Sequence, residues 1–354
     1  MPHELNHHPA DEILPFSRYA QSAPVLVTGA SGFLGREVVR QFSEAGVTVK
    51  ALARAWPSEP TMSSHVERHV GDITDPESIA AAVAGTRTIV HCAGLAHQFG
   101  KTSTHAEAFQ RVNVQGTETV ARLAAKAGVA HLVLVSSVSV YGGGTQPTDE
   151  STPCRPTEPY GLSKLQAEQV AIEISAAAGM RLTILRMATI IGEGDPGNIG
   201  RLMRAIDRGR FVWLGAGANR KSLIYRGDAA RACVVAALSS RSAHDGKLTG
   251  RAYNISLPAV PVARIVAALA TGLGRVTPRW YIPAPIITTV GGGLAVCMGG
   301  RGPVARIHRT IGKWLSDDIY LGEQFARDHE FHPEVSVDEG LWREAAWYRH
   351  SKAA

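Results

Sequence analysis

The sequence is poor in cysteine, has little excess charge and shows no apolar segment of the signal-peptide kind near its start. Its four cysteines are widely spaced and form no C-x-x-C pair: Cys92, Cys154, Cys233 and Cys297. This spacing argues against a disulfide framework or a zinc site and favours free thiols in a reducing compartment, so we expect a cytoplasmic protein without a metal. The dispersed net charge of +6 suits a small-molecule substrate and does not indicate a nucleic-acid partner.

Two segments were candidates for targeting or membrane insertion, and neither has the expected composition. Residues 1–23 carry early acidic residues and no continuous apolar core, so we expect a flexible N-terminal tail. The uncharged run 280–300 is long enough to span a bilayer, but its two prolines and five glycines favour a buried or lid helix. Basic residues follow it, which leaves a loose membrane association through 280–313 open as the alternative.

Length and composition are typical of a globular protein with one large domain and a smaller lobe. The chain has 354 residues, of which 45% are hydrophobic and 19% charged. No internal repeat or linker separates the two parts. We therefore expect a dinucleotide-binding domain over 24–186 and a mainly substrate-binding lobe over 187–354, interleaved with the first domain near 223–256.

The stretch from Pro24 to Arg54 has the pattern of a strand, a tight turn, a helix and a second strand. A short apolar run, Val25 to Val27, ends before Gly29, and glycines recur at Gly32 and Gly35. Gly29 permits the turn, Gly32 lets a pyrophosphate approach the backbone, and Gly35 allows close helix–strand packing. The free N–H groups at the start of the helix suit a phosphate. This pattern predicts dinucleotide binding.

The end of the second strand indicates which dinucleotide is preferred. An NAD-selective site carries an acidic residue there to bind the ribose 2′-hydroxyl, whereas this chain has Ala53 followed by Arg54. A guanidinium can hold a 2′-phosphate with two hydrogen bonds. We therefore predict NADP as the preferred cofactor and NAD as the alternative. The competing interpretation is that Arg54 is only a solvated residue at a strand end.

Strand and helix patterns continue to alternate along the chain. Strands are predicted at 66–70, 88–92 and 132–135, and a long helix is predicted over 106–127. This rhythm predicts an α/β fold with a doubly wound, Rossmann-like parallel sheet that binds ligands at its carboxyl edge. The strand ends at Asp72, Ala93–Gly94 and Ser136–Ser137 should face one crevice, and ligands should bind there.

A tyrosine and a lysine are spaced for proton transfer. Tyr160 and Lys164 are four residues apart in a helical segment and therefore share one face. A phenol has a pKa near 10 and requires help to exchange a proton at neutral pH. We expect the Lys164 ammonium to lower the pKa of Tyr160, and Ser137 to hydrogen-bond the reacting oxygen. A chance pair on a solvated helix is the weaker interpretation after a glycine-rich turn.

The motifs TGASGFLG, GDITD, SSVSVYG and Y-G-L-S-K resemble those of the extended short-chain dehydrogenase/reductases, over about Pro24 to Tyr348. The resemblance implies that Tyr160 is the catalytic acid/base with Ser137 as its partner, and that Lys164 also binds the nicotinamide ribose. It makes Asn113 similar to the family's structural asparagine. The other residues expected at the cofactor are Ser31, Phe33, Leu34, Asp72, Ile73, Ala93, Gly94 and Met187, of which Asp72 and Ile73 resemble adenine contacts.

Residues 184–238 resemble the nucleotide-sugar branch of that family, the NAD-dependent epimerases and dehydratases. In that branch a loop asparagine and a basic residue before S-x-x-Y commonly hold the nucleotide diphosphate. Asn198 and Lys221, with Arg220 beside it, match those positions, and Ser137 and Ser139 are the other residues expected at the substrate.

Two residues depart from the prolines that are common in the family. Met187 and Glu193 stand at these positions, which predicts an unusual pocket around the nicotinamide.

The resemblance implies an NAD(P)-dependent oxidoreductase that acts at C4 of a nucleotide-linked hexose, as a ketoreductase or an epimerase. It further implies a homodimer and a role in polysaccharide biosynthesis. A 4,6-dehydratase is disfavoured because that branch has Asp-Glu where this chain has Val138-Ser139. The alternative is an NADP-dependent ketoreductase or dehydrogenase of a sterol- or flavonoid-like substrate. The intact Ser137, Tyr160 and Lys164 argue against a third hypothesis, a binding protein without catalysis.

Overall fold

The computed structural model describes residues 23–56, 63–96, 102–143, 146–239, 250–278, 281–282 and 315–353. The predicted tail 1–23 lies outside the described residues except for its last position. Of the run 280–300, only Tyr281–Ile282 is described, as a short strand.

Thirteen strands are found in the described ranges. In chain order they are β1 (Val25–Thr28), β2 (Val49–Ala53), β3 (Val66–Val70), β4 (Thr88–His91), β5 (His131–Ser137), β6 (Arg181–Met187), β7 (Thr189–Ile191), β8 (Trp213–Leu214), β9 (Arg220–Lys221), β10 (Leu223–Tyr225), β11 (Arg251–Ile255), β12 (Val260–Pro261) and β13 (Tyr281–Ile282). Seven of them form one sheet in the order β11-β6-β5-β4-β1-β2-β3. All its pairs are parallel, which confirms the predicted doubly wound sheet.

The helices lie between and after these strands. They are α1 (Gly35–Glu44), α2 (Pro76–Val83), α3 (Thr102–Phe109), α4 (Gly116–Lys126), α5 (Pro159–Ala178), α6 (Asn198–Asp207), α7 (Arg226–Leu238), α8 (Val262–Gly272), α9 (Glu323–His329) and α10 (Val337–Ala353). The Asp75 side chain caps α2 by accepting a hydrogen bond from the Glu77 N–H. This cap agrees with the helix start that Thr74-Asp75-Pro76 suggests.

The large sheet has an apolar core on each face. Val25 and Val27 of β1 pack in one core with Phe42 of α1, whereas Leu26 packs in the other with Ile79 of α2. Successive residues of a strand point to opposite faces, so a strand that is apolar throughout must be covered on both sides. This is why the apolar runs of the sequence become central strands.

A third core belongs to the C-terminal lobe. It joins α6, α8 and α10 through buried residues such as Leu202, Leu269 and Leu341. A segment after the undescribed residues connects this lobe to the catalytic side of the sheet: the Thr148 N–H donates to the Ile319 carbonyl at 2.9 Å, and the Ser222 N–H donates to the Asp318 carbonyl at 2.8 Å. The predicted domain limits stay a prediction.

The predicted helix over 106–127 is wrong in one respect, because it is not a single regular helix. A π-helical turn, Gln110–Gln115, separates α3 from α4. A π-turn widens the helix by one residue and is frequent at functional sites. The spacing of apolar residues does not reveal one additional residue, so periodicity predicted an unbroken helix. Within the described ranges, no helix combines the length and apolar character needed to cross a membrane.

Candidate active site

The parallel strands bring the predicted segments to one edge of the large sheet. Thr28, the last residue of β1, lies beside His91, the last residue of β4. Ser137 ends β5 beside Met187, which ends β6. This edge therefore holds the glycine-rich turn, the Ala93–Gly94 segment and the serine expected to act with Tyr160.

The glycine-rich turn has the geometry that a pyrophosphate requires. Gly29 has a φ of +67°, and a Cβ there would lie 2.8 Å from the backbone of Ala93. A Cβ at Gly35 would overlap the Gly29 carbonyl oxygen, whereas a Cβ at Gly32 would meet only that oxygen within 4 Å. The space in front of Gly32 is thus open. The three glycines are placed for the turn, the close approach and the packing expected of them.

The start of α1 completes this turn. Its N-cap residue is Leu34, which makes no side-chain cap. The Arg36 and Glu37 N–H groups donate to the Gly32 and Leu34 carbonyls, and a ligand can satisfy the Gly35 N–H at the start of the helix. Ser31 is exposed and Phe33 is half-buried in front of it. The residues present therefore fit a dinucleotide phosphate.

The adenosine side of the predicted site is charged. The Asp72 carboxylate accepts hydrogen bonds from the N–H and the hydroxyl of Thr74, both at 2.9 Å. The first of these is the main cause that lowers the pKa of Asp72, and the nearby charges of Arg54 and Arg111 lower it further. Arg54 itself is exposed. A 2′-phosphate would require a cation near Asp72, and the exposed Arg54 guanidinium is such a cation.

Asn113 connects the cofactor wall to the catalytic helix. Its amide oxygen accepts from the Leu95 N–H at 2.8 Å, and its amide nitrogen donates to the Leu95 carbonyl and to Ser163 Oγ. Ser163 in turn donates to the Tyr160 carbonyl at 2.8 Å. Asn113 also limits the space at Gly94, where a Cβ would lie 3.1 Å from its amide oxygen.

Ser137 lies close enough to Tyr160 to act on its phenol, because it partly opposes the burial that raises the pKa of Tyr160. Ser137 Oγ also lies 3.1 Å from Ser139 Oγ, to which it can donate, and accepts from the Ser139 N–H. The ring of Tyr160 packs against Phe109, with ring centres 5.7 Å apart. The phenol, both serines and the strand end therefore form one cluster.

The expectation that Lys164 lowers the pKa of Tyr160 is not met in this structure. Burial raises the pKa of Tyr160, and the opposing effect comes from Ser137. The Lys164 ammonium donates instead to the Val135 carbonyl at 2.6 Å. Burial lowers the pKa of Lys164 to about 8, while Glu168 and Cys92 act to raise it. The Lys164 ammonium is thus held at β5, and its pKa lies close to neutral pH.

A buried ion pair beneath this cluster was missed by sequence reasoning. Arg186 Nη2 lies 2.7 Å from Glu168 Oε2, and Arg186 also donates to the Tyr141 hydroxyl at 2.9 Å. The Ser136 hydroxyl donates to the same glutamate. The one available signal was the spacing of Glu168, four residues after Lys164 on the same helix.

Three of the predicted substrate residues lie in the C-terminal lobe, and two of them bond other protein groups. Asn198 is exposed at the first position of α6. The Arg220 guanidinium donates to the Ala259 carbonyl at 2.6 and 3.2 Å, and Lys221 Nζ lies 2.6 Å from Asp318 Oδ2. Diphosphate binding by these residues stays a prediction, and Asp318 is a neighbour that sequence reasoning missed.

Glu193, one of the two departures from the family's prolines, has a structural role here. Its carboxylate accepts from the Tyr225 hydroxyl at 2.9 Å and pairs with Arg226 at 3.2 Å, while Arg36 donates to its carbonyl oxygen. This loop is thereby fixed to α1 and α7. Among the described residues, no cluster of three or more His, Cys, Asp and Glu side chains is arranged for a metal ion.

Comparisons with known proteins agree with this geometry. The pattern of the NAD dependent epimerase/dehydratase family matches residues 25–256. The N-acetyl-alpha-D-glucosaminyl-diphospho-ditrans,octacis-undecaprenol 4-epimerase of Escherichia coli O157:H7 is 31% identical over 74% of this chain and 76% of its own. A 3 beta-hydroxysteroid dehydrogenase/Delta 5-->4-isomerase of Mycobacterium tuberculosis (strain CDC 1551 / Oshkosh) is 32% identical over 75% of this chain and 74% of its own. MoeE5, solved in complex with UDP-glucose and NAD, superposes with a TM-score of 0.73 at 27% identity, covering 93% of this chain and 99% of that one.

Proposed function

Because the chain belongs to the NAD dependent epimerase/dehydratase family, whose members are enzymes of the extended short-chain dehydrogenase/reductase type, we propose that it acts on a nucleotide-linked sugar as a 4-ketoreductase or 4-epimerase. The observation that carries the proposal is the position of Ser137 at the carboxyl end of β5, close to the buried Tyr160 phenol and on the same sheet edge as the open glycine-rich turn. A nicotinamide supplies the hydride exchange when it is bound.

The protein's own residues perform the proton chemistry. In reduction, the Tyr160 hydroxyl gives its proton to the carbonyl oxygen of the substrate while Ser137 hydrogen-bonds that oxygen. In epimerisation, the phenolate form of Tyr160 first takes the proton of the sugar hydroxyl, and the phenol formed in this way later returns it. A Lys164 ammonium with a pKa of about 8 keeps a positive charge near this site at neutral pH.

We also propose that NADP is preferred to NAD. The support is Ala53 at the position of the NAD-selective acid, together with the exposed Arg54 near Asp72. The solved relative MoeE5 holds NAD, so the proposal of NADP rests on the residues of this chain alone.

A diphosphate on the substrate is the expected anchor in the C-terminal lobe. The relatives named for UDP-glucose and for a diphospho-linked glucosamine both involve a sugar carried on a diphosphate. Lys221 can neutralise such a group with charge-assisted hydrogen bonds, in exchange for its ion pair with Asp318. Binding energy from this remote group positions the sugar against the nicotinamide, so losing it should lower kcat as well as affinity.

The experiment compares Lys221→Ala with Lys352→Ala, assayed with UDP-, dTDP- and GDP-hexoses and with apolar ketones. Lys352 is the matched control because it forms a Lys–Asp pair with Asp207 at 2.8 Å on the exposed side of the same lobe. We expect Lys221→Ala to lower kcat/KM about ten- to a hundredfold and Lys352→Ala to leave it unchanged.

An apolar substrate is the second candidate, and the similarity to the 3 beta-hydroxysteroid dehydrogenase favours it. If the native protein neither binds nor converts nucleotide sugars but reduces an apolar ketone, the sugar proposal is wrong and this candidate replaces it. The homodimer stays a further prediction, and a measurement of the molecular mass in solution tests it.

A further inference from the structure

A continuous set of buried hydrogen bonds connects the glycine-rich turn to Asn113. The Ala93 N–H donates to Thr28 Oγ1 at 3.2 Å, and Thr28 Oγ1 lies 2.7 Å from His91 Nδ1. On the other side of the ring, His91 Nε2 lies 3.1 Å from Thr117 Oγ1, and the Thr117 hydroxyl donates to the Asn113 carbonyl at 2.6 Å. We call these four hydrogen bonds the His91 bridge.

The two ends of the His91 bridge determine the direction of every donor. The Thr117 proton is used on the Asn113 carbonyl, so His91 Nε2 must carry a proton and donate to Thr117. In a neutral ring Nδ1 is then an acceptor, which receives the Thr28 proton. Burial keeps the ring neutral by lowering the pKa of His91 to about 3, helped by the charge of Lys164. Each hydroxyl donates once and accepts once, so one tautomer satisfies the whole bridge.

Both ends of the bridge are parts of the cofactor site. The Ala93 backbone packs so closely on Gly29 that a Cβ on that glycine would lie 2.8 Å away, so a small shift of Ala93 changes the turn. At the other end, Asn113 holds Leu95 and, through Ser163, the first turn of the helix that carries the catalytic tyrosine. Thr117 also fixes the junction between the π-helical turn and α4 by bonding to the residue four positions earlier.

We propose that His91 is a positioning residue for NAD(P): together with Thr28 and Thr117, it holds the Ala93 backbone and Asn113 at the spacing that the bound cofactor needs. The inference goes beyond the proposed function, since it applies whether the substrate is a sugar or an apolar ketone. It also predicts that a change at Thr117 alters the hydrogen bonds of Thr28 at the other end of the bridge. Without the Thr117 hydroxyl, the buried Nε2–H has no acceptor and the ring favours the Nδ1–H tautomer, which then competes with the Ala93 N–H for Thr28.

The experiment uses the full-length protein and three variants: Thr117→Val, Thr117→Ser and Thr183→Val. Valine keeps the shape of threonine without its hydroxyl, and serine restores the hydroxyl. Thr183→Val is the matched control, because Thr183 is also buried and bonds another buried histidine, His131, at 3.0 Å. NADPH and NADH are titrated by nicotinamide fluorescence, so no substrate is required.

We expect Thr117→Val to weaken binding of the tighter cofactor about tenfold, Thr117→Ser to restore it to within about threefold, and Thr183→Val to leave it unchanged. A purely structural role would lower the melting temperature of Thr117→Val while the cofactor Kd stays native, and this result would overturn the proposal. So would equal weakening by Thr183→Val. In native protein labelled with ¹⁵N-histidine, His91 should be the neutral Nε2–H tautomer. The Nδ1–H form or an imidazolium refutes the bridge even if Thr117→Val does not fold.

Discussion

The two ends of the large sheet each contain a buried histidine that bonds a threonine, but the two histidines differ in what they hold. His91 ends β4 at the carboxyl edge, and its bonds lead to backbone atoms of the cofactor site. His131 begins β5 at the amino edge, where it bonds Thr183 and lies 2.8 Å from Arg181 Nη2. Arg181 donates onward to the Ser239 carbonyl, on the loop after α7.

Local chemistry does not distinguish the two histidines. Burial is the main cause that lowers the pKa of each to about 3, and a neighbouring cation contributes in both cases. What differs is position, because in a parallel α/β sheet the ligand binds outside the carboxyl ends of the strands. A perturbed pKa and a satisfied hydrogen bond are therefore evidence of a site only together with topology.

The largest expected effect is a loss of turnover when the phenol at the carboxyl edge of the sheet is changed. Tyr160→Phe keeps the ring but removes the exchangeable proton, so turnover should fall by about two to four orders of magnitude while the cofactor still binds. Tyr253→Phe is the control, since Tyr253 is a buried phenol of β11 that bonds Asp328. Steady-state kinetics of both variants check this prediction. Near-native turnover of Tyr160→Phe would remove that phenol from the mechanism.

The next effect tests cofactor selection at the same edge. Arg54→Ala should reduce kcat/KM with NADP about ten- to a hundredfold, because one charge-assisted contact to the 2′-phosphate is lost, and should spare NAD. Arg87→Ala is the counterpart at the amino edge, where Arg87 is an exposed arginine directly before β4. Native kinetics that favour NAD, or an unchanged NADP rate in Arg54→Ala, would contradict the assignment.

The smallest expected effect is on the pH dependence of the free energy of unfolding. It should be the same for the histidine at the carboxyl edge and the histidine at the amino edge. A neutral buried histidine binds fewer protons than an unfolded one, whose pKa is about 6.5, so its contribution to stability is lost as pH falls from 6.5 toward 3. As the pH falls from 7 to 5.5, each histidine should lower the free energy of unfolding by about 1 kcal/mol. His91→Gln and His131→Gln should each remove that part of the decline in denaturant titrations.

Subtracting the pH dependence of stability of each variant from that of the native protein isolates the contribution of the histidine. Other groups titrate in the same window: burial raises the pKa of Glu344 to about 8, which makes its contribution run in the opposite direction. Glu344 is present in all three proteins and cancels in the difference. An unchanged decline in either variant would mean that the histidine is already charged or hydrated in the native state.

The parts of the site that were predictable from the sequence are those determined by short spacing. Gly29, Gly32 and Gly35 define a turn within seven residues, and Tyr160 and Lys164 define one helix face. The apolar runs were sufficient for central strands such as β1, β4 and β5, because buried parallel strands are apolar on both faces.

The parts that were missed depend on partners far apart in the chain. His91 lies 63 positions from Thr28, and Lys221 lies 97 from Asp318. Periodicity carries no information about such pairs, since they arise only when the strands and lobes have packed. The partner of Lys164 was missed for the same reason, since the Val135 carbonyl is 29 positions away in the chain.

The π-helical turn, Gln110–Gln115, lets this part of the chain hold one residue more than a regular helix would. Because its i→i+5 bonds enclose one residue more than the i→i+4 bonds of an α-helix, the flanking helices keep the relative direction that they would have without that residue. The face of α4 that carries Val120 and Ala124 therefore stays against the core. The additional residue is taken up locally, where Asn113 reaches Leu95 and Ser163. A deletion of one residue within the turn should therefore disturb the cofactor wall while the core packing of α4 stays in place.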